Sequence, residues 1–133
     1  MSRENVTLLM HLQDSLNRGD VAAFVEAFDP EGEVVDPPDM PGATSHRGHE
    51  GIRRFAESFT KFWVEWRTEA EEVTAVGDNR VFAQGQALGR GRASGVEVVR
   101  PFYVVANVEN GRFVEVRFYG NRAEALEAAG LSE

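Results

Sequence analysis

The sequence has no cysteine among its 133 residues. Disulfides and thiolate metal sites are therefore excluded, and no oxidising compartment is needed. It also has no long apolar run. The opening Met1-Ser2-Arg3-Glu4-Asn5 is polar, and no later stretch approaches a membrane-spanning length. A cytoplasmic location is expected, with no membrane partner. Basic residues are scarce: 14 Lys and Arg stand against 22 Asp and Glu, a formal net charge of -8. Phosphate binding rests on a basic surface, so a nucleic-acid partner is not expected either. No linker, repeat or low-complexity segment interrupts the chain, and residues 1–133 read as one domain. That length can bury a core without staples.

Aromatic residues, by contrast, are plentiful, with nine Phe, two Trp and two Tyr. They must line a core, a pocket or an interface. Val6, Leu9, Leu12 and Leu16 recur at helical spacing, and Asn17-Arg18-Gly19 stops that helix. Asp20 caps a second helix with the stripe Val21, Phe24, Val25, Phe28, ended by Asp29-Pro30-Glu31-Gly32. Glu33 to Asp36 reads as a short strand, and the prolines and glycine that follow predict a loop over 37–47. A third helix opens near Gly48, with Ile52, Phe55, Phe59, Phe62 and Trp63 as its aromatic face.

Near Trp66 the period shifts toward two. Four strands are predicted over 65–76, 80–91, 96–109 and 112–119, with turns at Gly77-Asp78-Asn79, Gly91 to Gly95 and Asn110-Gly111. Asn-Gly between alternating runs is a strong hairpin signal. Asn121 with Glu124 is a capping pattern that starts a last helix, Arg122 to Ala129. Helices first and strands later predict an α+β fold: three N-terminal helices on a strongly curved antiparallel sheet, and a short C-terminal helix. A cone built this way encloses an apolar pocket at its wide end.

Four stretches carry a resemblance to a known family. They are Leu16-Asn17-Arg18-Gly19-Asp20, Val34-Val35-Asp36-Pro37-Pro38, His46-Arg47-Gly48-His49-Glu50-Gly51-Ile52 and Val116-Arg117-Phe118-Tyr119. With the ending Arg122 to Leu131, they resemble the SnoaL-like group of the nuclear transport factor 2-like superfamily. That group includes polyketide cyclases and relatives of ketosteroid isomerase. The resemblance spans essentially the whole chain and implies the cone-shaped α+β barrel. It specifies fold more sharply than chemistry, because one such pocket hosts many activities.

Asp36 is similar in position and Val-x-Asp-Pro context to the general base of ketosteroid isomerases. A carboxylate at the rim of an apolar pocket can take and return a proton at carbon. The competing reading is an Asp that accepts backbone N–H groups in a Pro-rich turn. Relatives place oxyanion donors on the first helix and the penultimate strand. Those positions look like Leu12, which cannot donate, and Tyr103, which can polarise an oxygen or else serve as a half-buried sheet aromatic. The acid that cyclases and epoxide hydrolases carry on the last strand is similar in position to Phe118 here. His46 is a candidate second proton carrier at the pocket mouth, or a plain loop residue. His11 is a candidate polar group inside the cone, and His49 is expected to be solvated.

Phe24, Phe28, Phe55, Phe59, Trp63, Trp66, Phe82 and Phe118 are candidate pocket walls, with plain core as the alternative for each. His46-x-x-His49-Glu50 lacks the four-residue helical spacing of zinc histidines, so no metal is expected. Gly85, Gly89, Gly91 and Gly95 form no dinucleotide fingerprint and are expected to let the sheet bend. No cofactor is expected. Strand alternation assigns Phe102, Val104, Ala106 and Val108 to the face opposite Tyr103, which is expected to be an uncovered outer face. A homodimer through that face is expected, with a hydrophobic small molecule as the other partner. Two functions are open: a cofactor-free isomerase, cyclase or dehydratase using Asp36, or a non-catalytic ligand-binding or dimerisation module.

Overall fold

Helix α1 covers Ser2–Arg18 and turns Leu9 and Leu12 into the core. A computed structural model describes residues 2–131. After α1 come α2 (Val21–Glu26), β1 (Phe28–Val35), β2 (Ser45–Arg47) and α3 (Gly48–Phe62). The rest is β3 (Trp63–Val76), β4 (Arg80–Gly91), β5 (Glu97–Glu109), β6 (Arg112–Tyr119) and α4 (Arg122–Ala129). The six strands form one sheet in the order β2-β1-β6-β5-β4-β3. The architecture is the expected α+β one. Its pairings are antiparallel except that β1 runs parallel to β6.

Local signals account for most element ends. The Asp20 side chain accepts the Ala23 N–H at 3.1 Å and caps α2. The Asn121 side chain accepts the Glu124 N–H at 2.9 Å and caps α4. Two boundaries differ from expectation. Phe28 does not extend α2; it starts β1 opposite Phe113, while the Ala27 carbonyl accepts the Phe113 N–H at 2.9 Å. Pro30 also biases Asp29 away from helix. Trp63 does not end α3 but opens β3 in extended conformation, φ -121°, and Phe62 is exposed rather than buried. Within the predicted loop, residues 45–47 form β2 against β1.

The three N-terminal helices pack on one sheet face, in a core that includes Phe24, Val34, Ile52, Val81, Val104 and Phe113. α4 packs on the other face, where Ala125, Leu126 and Ala129 meet Phe82 and Val105. β3 carries register shifts near Trp63 and near Ala70. Such bulges bend a strand and increase its twist. Gly85 sits opposite the second shift, where an added Cβ would overlap the Glu69 carbonyl and lie 2.8 Å from the Ala70 Cα. Only glycine lets β3 come that close.

Asn17 holds α1 against this bent strand. Its amide donates to the Thr68 carbonyl at 2.8 Å, and its oxygen accepts the Thr68 N–H at 2.9 Å. The side chain thus satisfies edge-strand groups as another strand would. The gap between α1 and the sheet is where the site lies.

Candidate functional site

A cavity of about 310 Å³ opens between the helices and the bent sheet. Leu9, Leu12 and Leu16 of α1 and Phe55 and Phe59 of α3 wall one side. Trp63, Trp66, Phe102, Val104 and Phe118 wall the sheet side. The aromatic wall is continuous: Phe55 to Phe59 ring centroids are 5.0 Å apart, Phe59 to Trp66 4.5 Å, and Trp66 to Trp63 5.3 Å. Gly89 makes room for the two indoles, since an added Cβ would lie 2.7 Å from the Trp63 ring and 3.0 Å from the Trp66 ring. The Trp66 Nε1 is buried with no hydrogen-bond partner among the described residues.

Asp36 lines this cavity and is 7% exposed. Alternation explains its direction: Val34 points into the core, and Asp36 follows two residues later. Val34 also pairs with His46 on β2, so His46 falls on the same face. Its Nε2 lies 3.2 Å from Asp36 Oδ1 and 3.1 Å from Oδ2. A carboxylate only accepts, so with Asp36 ionised this nitrogen carries the proton and donates. The Thr44 N–H donates to Oδ2 at 3.2 Å. The Phe55 ring, its centroid 5.0 Å from that of His46, packs against the imidazole. The result is a buried carboxylate fixed by two donors, with an apolar chamber beside it.

The expected wall residues divide. Phe24, Phe55, Phe59, Trp63, Trp66 and Phe118 line the cavity. Phe28 does not; it is fully buried between Phe24 and Phe113. Phe82 does not either, because it lies on the opposite sheet face under α4. His11 is exposed on the solvent side of α1. His49, expected to be solvated, donates from Nε2 to the Phe28 carbonyl at 2.9 Å and ties α3 to β1. Tyr103 packs with Phe82, Val105 and α4, outside the cavity. Correspondingly, Phe102, Val104, Ala106 and Val108 face inward against the helices, so they form no outer apolar face. The cause is α4, which claims the odd-numbered face of β5 and leaves the even-numbered one to the N-terminal helices.

Reasoning from sequence missed Gln13, Met40, Thr68 and Arg100, all of which line the cavity. Arg100 shares strand parity with Phe102 and Val104, a signal hidden by the reversed faces. A wider depression of about 630 Å³ adjoins the cavity and shares Phe59, Trp63 and Trp66 with it. Its Arg18, Arg67 and Arg90 pair with Asp20, Glu69 and Glu65, so their charges are largely compensated. Among the described residues, no group of three or more His, Asp or Glu is placed to hold a metal. No helix among them is long and apolar enough to cross a membrane.

A family model described as a SnoaL-like domain matches residues 10–116. The chain belongs to the SnoaL-like family. Solved structures agree on the fold. An NTF2-like protein of unknown function from Burkholderia pseudomallei K96243 superposes with a TM-score of 0.78 at 20% identity, over 93% of this chain and 95% of that one. A protein with a ketosteroid isomerase-like fold from Catenulispora acidiphila, in complex with trimethylamine, gives 0.76 at 13% identity, over 94% and 93%. TerC, co-crystallised with polyporic acid, gives 0.77 at 17% identity, over 96% and 98%. No curated protein matches this SnoaL-like chain in sequence.

Proposed function

We propose that this SnoaL-like protein takes a hydrophobic, ring-bearing small molecule into its cavity and moves a proton on it with Asp36. One observation carries the reading: a buried carboxylate, held by His46 and Thr44, lines a mostly apolar chamber. Asp36 takes a proton from carbon next to a carbonyl and returns it elsewhere on the same skeleton. His46 orients the carboxylate and exchanges hydrogen-bond strength with it as the proton moves. The reaction class is isomerisation, cyclisation or dehydration, which needs no cofactor. Two structural relatives hold small molecules, trimethylamine and polyporic acid, which supports a ligand-bearing cavity in this fold. The test is Asp36→Asn on a substrate found by screening. Turnover is expected to fall by about 10²–10⁴-fold, the usual contribution of a general base. Unchanged turnover would sink Asp36 in that role.

A second reading is favoured by a different observation. Leu12 and Phe118 fill cavity positions where relatives carry functional groups, and Tyr103 lies outside. The cavity then binds a hydrophobic ligand without transforming it. Native mass spectrometry of the purified protein separates the two: a copurified molecule that persists unchanged on incubation supports binding alone.

A homodimer through the outer sheet face and a cytoplasmic location belong to this proposal as well. The dimer's apolar patch is now the exposed cross-strand pair Leu88 and Val99. Sedimentation velocity showing a monomer at all concentrations would remove the dimer.

A further inference from the structure

Arg100 is the cation of the cavity. Among the described lining residues, Arg100 and Asp36 are the ionisable ones. Arg100 stands on the inward face of β5, across from Ala87 and two residues before Phe102. Its Nη2 donates to Asp39 Oδ2 at 3.0 Å. Asp39 belongs to the loop between Asp36 and Thr44, which is closed on itself. The Asp36 N–H donates to the Thr44 carbonyl at 3.0 Å, and the Met40 N–H donates to the Pro37 carbonyl at 3.1 Å. Pro37 and Met40 of the same loop also line the cavity. The Asp39–Arg100 pair therefore joins this loop to β5 at the cavity wall.

The pair is a weak one. The two side chains are 43% and 55% exposed, so solvent screens the attraction, and two chains must be held in one geometry. An anionic group on a ligand inside the cavity would compete for the same guanidinium in a drier setting. A planar guanidinium presents a fork of N–H donors that matches a carboxylate with two bonds. Asp36, itself acidic and buried, would repel such a group from the other ionisable point of the wall. The two charges thus give the chamber a direction.

We propose that Arg100 selects ligands that carry one anionic oxygen group, a carboxylate or an ionised enol, on an otherwise apolar ring skeleton. The ligand's anion takes the place of Asp39 on Arg100, and its apolar body extends along the aromatic wall toward Asp36. This inference rests on the cavity being a small-molecule site, and it adds the class of molecule. Arg100 is a specificity residue here, and Asp39 is the internal competitor.

The test uses naphthoic acid, hydroxynaphthoquinone and neutral naphthamide as probes, with affinities read by titration calorimetry. For the acid and the amide, fluorescence is a second readout, because the chain's two tryptophans, Trp63 and Trp66, both line the cavity. The wild-type protein is expected to bind an anionic probe about tenfold or more tightly than the amide. Arg100→Gln should abolish that preference, with the loss of affinity falling on the anionic probes far more than on the amide. Asp39→Asn should strengthen the anion severalfold and leave the amide unchanged. The acid and quinone arms show which anion the fork prefers. Equal wild-type affinity for anionic and neutral probes, or an Arg100→Gln loss shared equally by all three, would overturn anion selection while the cavity reading stands. No binding of any probe would overturn both.

Discussion

His46 Nε2 lies within 3.1–3.2 Å of both carboxylate oxygens of Asp36, ten residues away in the chain. The contact exists because β2 pairs with β1 in a register that sets His46 opposite Val34. It holds a largely buried carboxylate at the edge of an apolar chamber. Removing the imidazole leaves that carboxylate with the Thr44 N–H as its remaining hydrogen bond among those described.

A double-mutant cycle should measure this pair. His46→Ala is expected to destabilise the fold by about 1–3 kcal/mol, the cost of under-satisfying a buried charged acceptor. In an Asp36→Ala background the same substitution should cost about 1 kcal/mol less, since no carboxylate remains to be stranded. Urea unfolding of the four proteins gives both numbers. Additive effects would mean that the two side chains are not coupled.

Gly89→Ala should reshape the chamber more than it unfolds the protein. The new methyl meets two indole rings rather than backbone, and rings can swing away. A stability loss of about 1–3 kcal/mol is expected for such overpacking. Affinity for a naphthalene probe should fall at least several-fold, and tryptophan emission should shift. Retained affinity with unshifted emission would show that the indoles do not form the binding wall.

Tyr103→Phe should leave ligand affinity, and any turnover, within about twofold of wild type, because effects away from a site are small. The phenol packs beneath α4, on the sheet face away from the cavity. A large loss of affinity in this variant would place Tyr103 at the site after all.

Tyr119 offers a pH test on the other face. Burial raises the pKa of its phenol above the ordinary value of 10.0, against an opposing pull from Arg117. The folded state thus favours the neutral phenol. Stability from this group is complete below about pH 10, where the unfolded chain's tyrosine is still neutral. It declines as pH rises through 10 toward the higher folded value, because the unfolded state ionises first. Ultraviolet titration of wild type against Tyr119→Phe isolates the group from Tyr103. An ionisation at or below the ordinary value would contradict its burial.

Much of the fold was legible because its signals are local. The Leu9–Leu12–Leu16 stripe, the Asp20 and Asn121 caps and the Asn110-Gly111 turn each act over a few residues, and each appears where expected. Phe28 was misread because a helical stripe and the first residue of a strand look alike when the run is short. Asp36 and six aromatic walls were legible through resemblance and period. Arg100 was not, since its meaning depends on which side of β5 the chamber lies.

The sequence alone determined the elements, their order and the separation of odd from even residues along each strand. Strand geometry makes that separation automatic, as successive side chains point to opposite faces. Only the tertiary structure decided which face became the chamber. Three helices took the Phe102–Val104 side, and α4 took the Tyr103–Val105 side. Packing between segments far apart in sequence made that choice, and no local pattern in β5 distinguishes the two outcomes. The same packing closed β2 onto β1, and so brought His46 to Asp36.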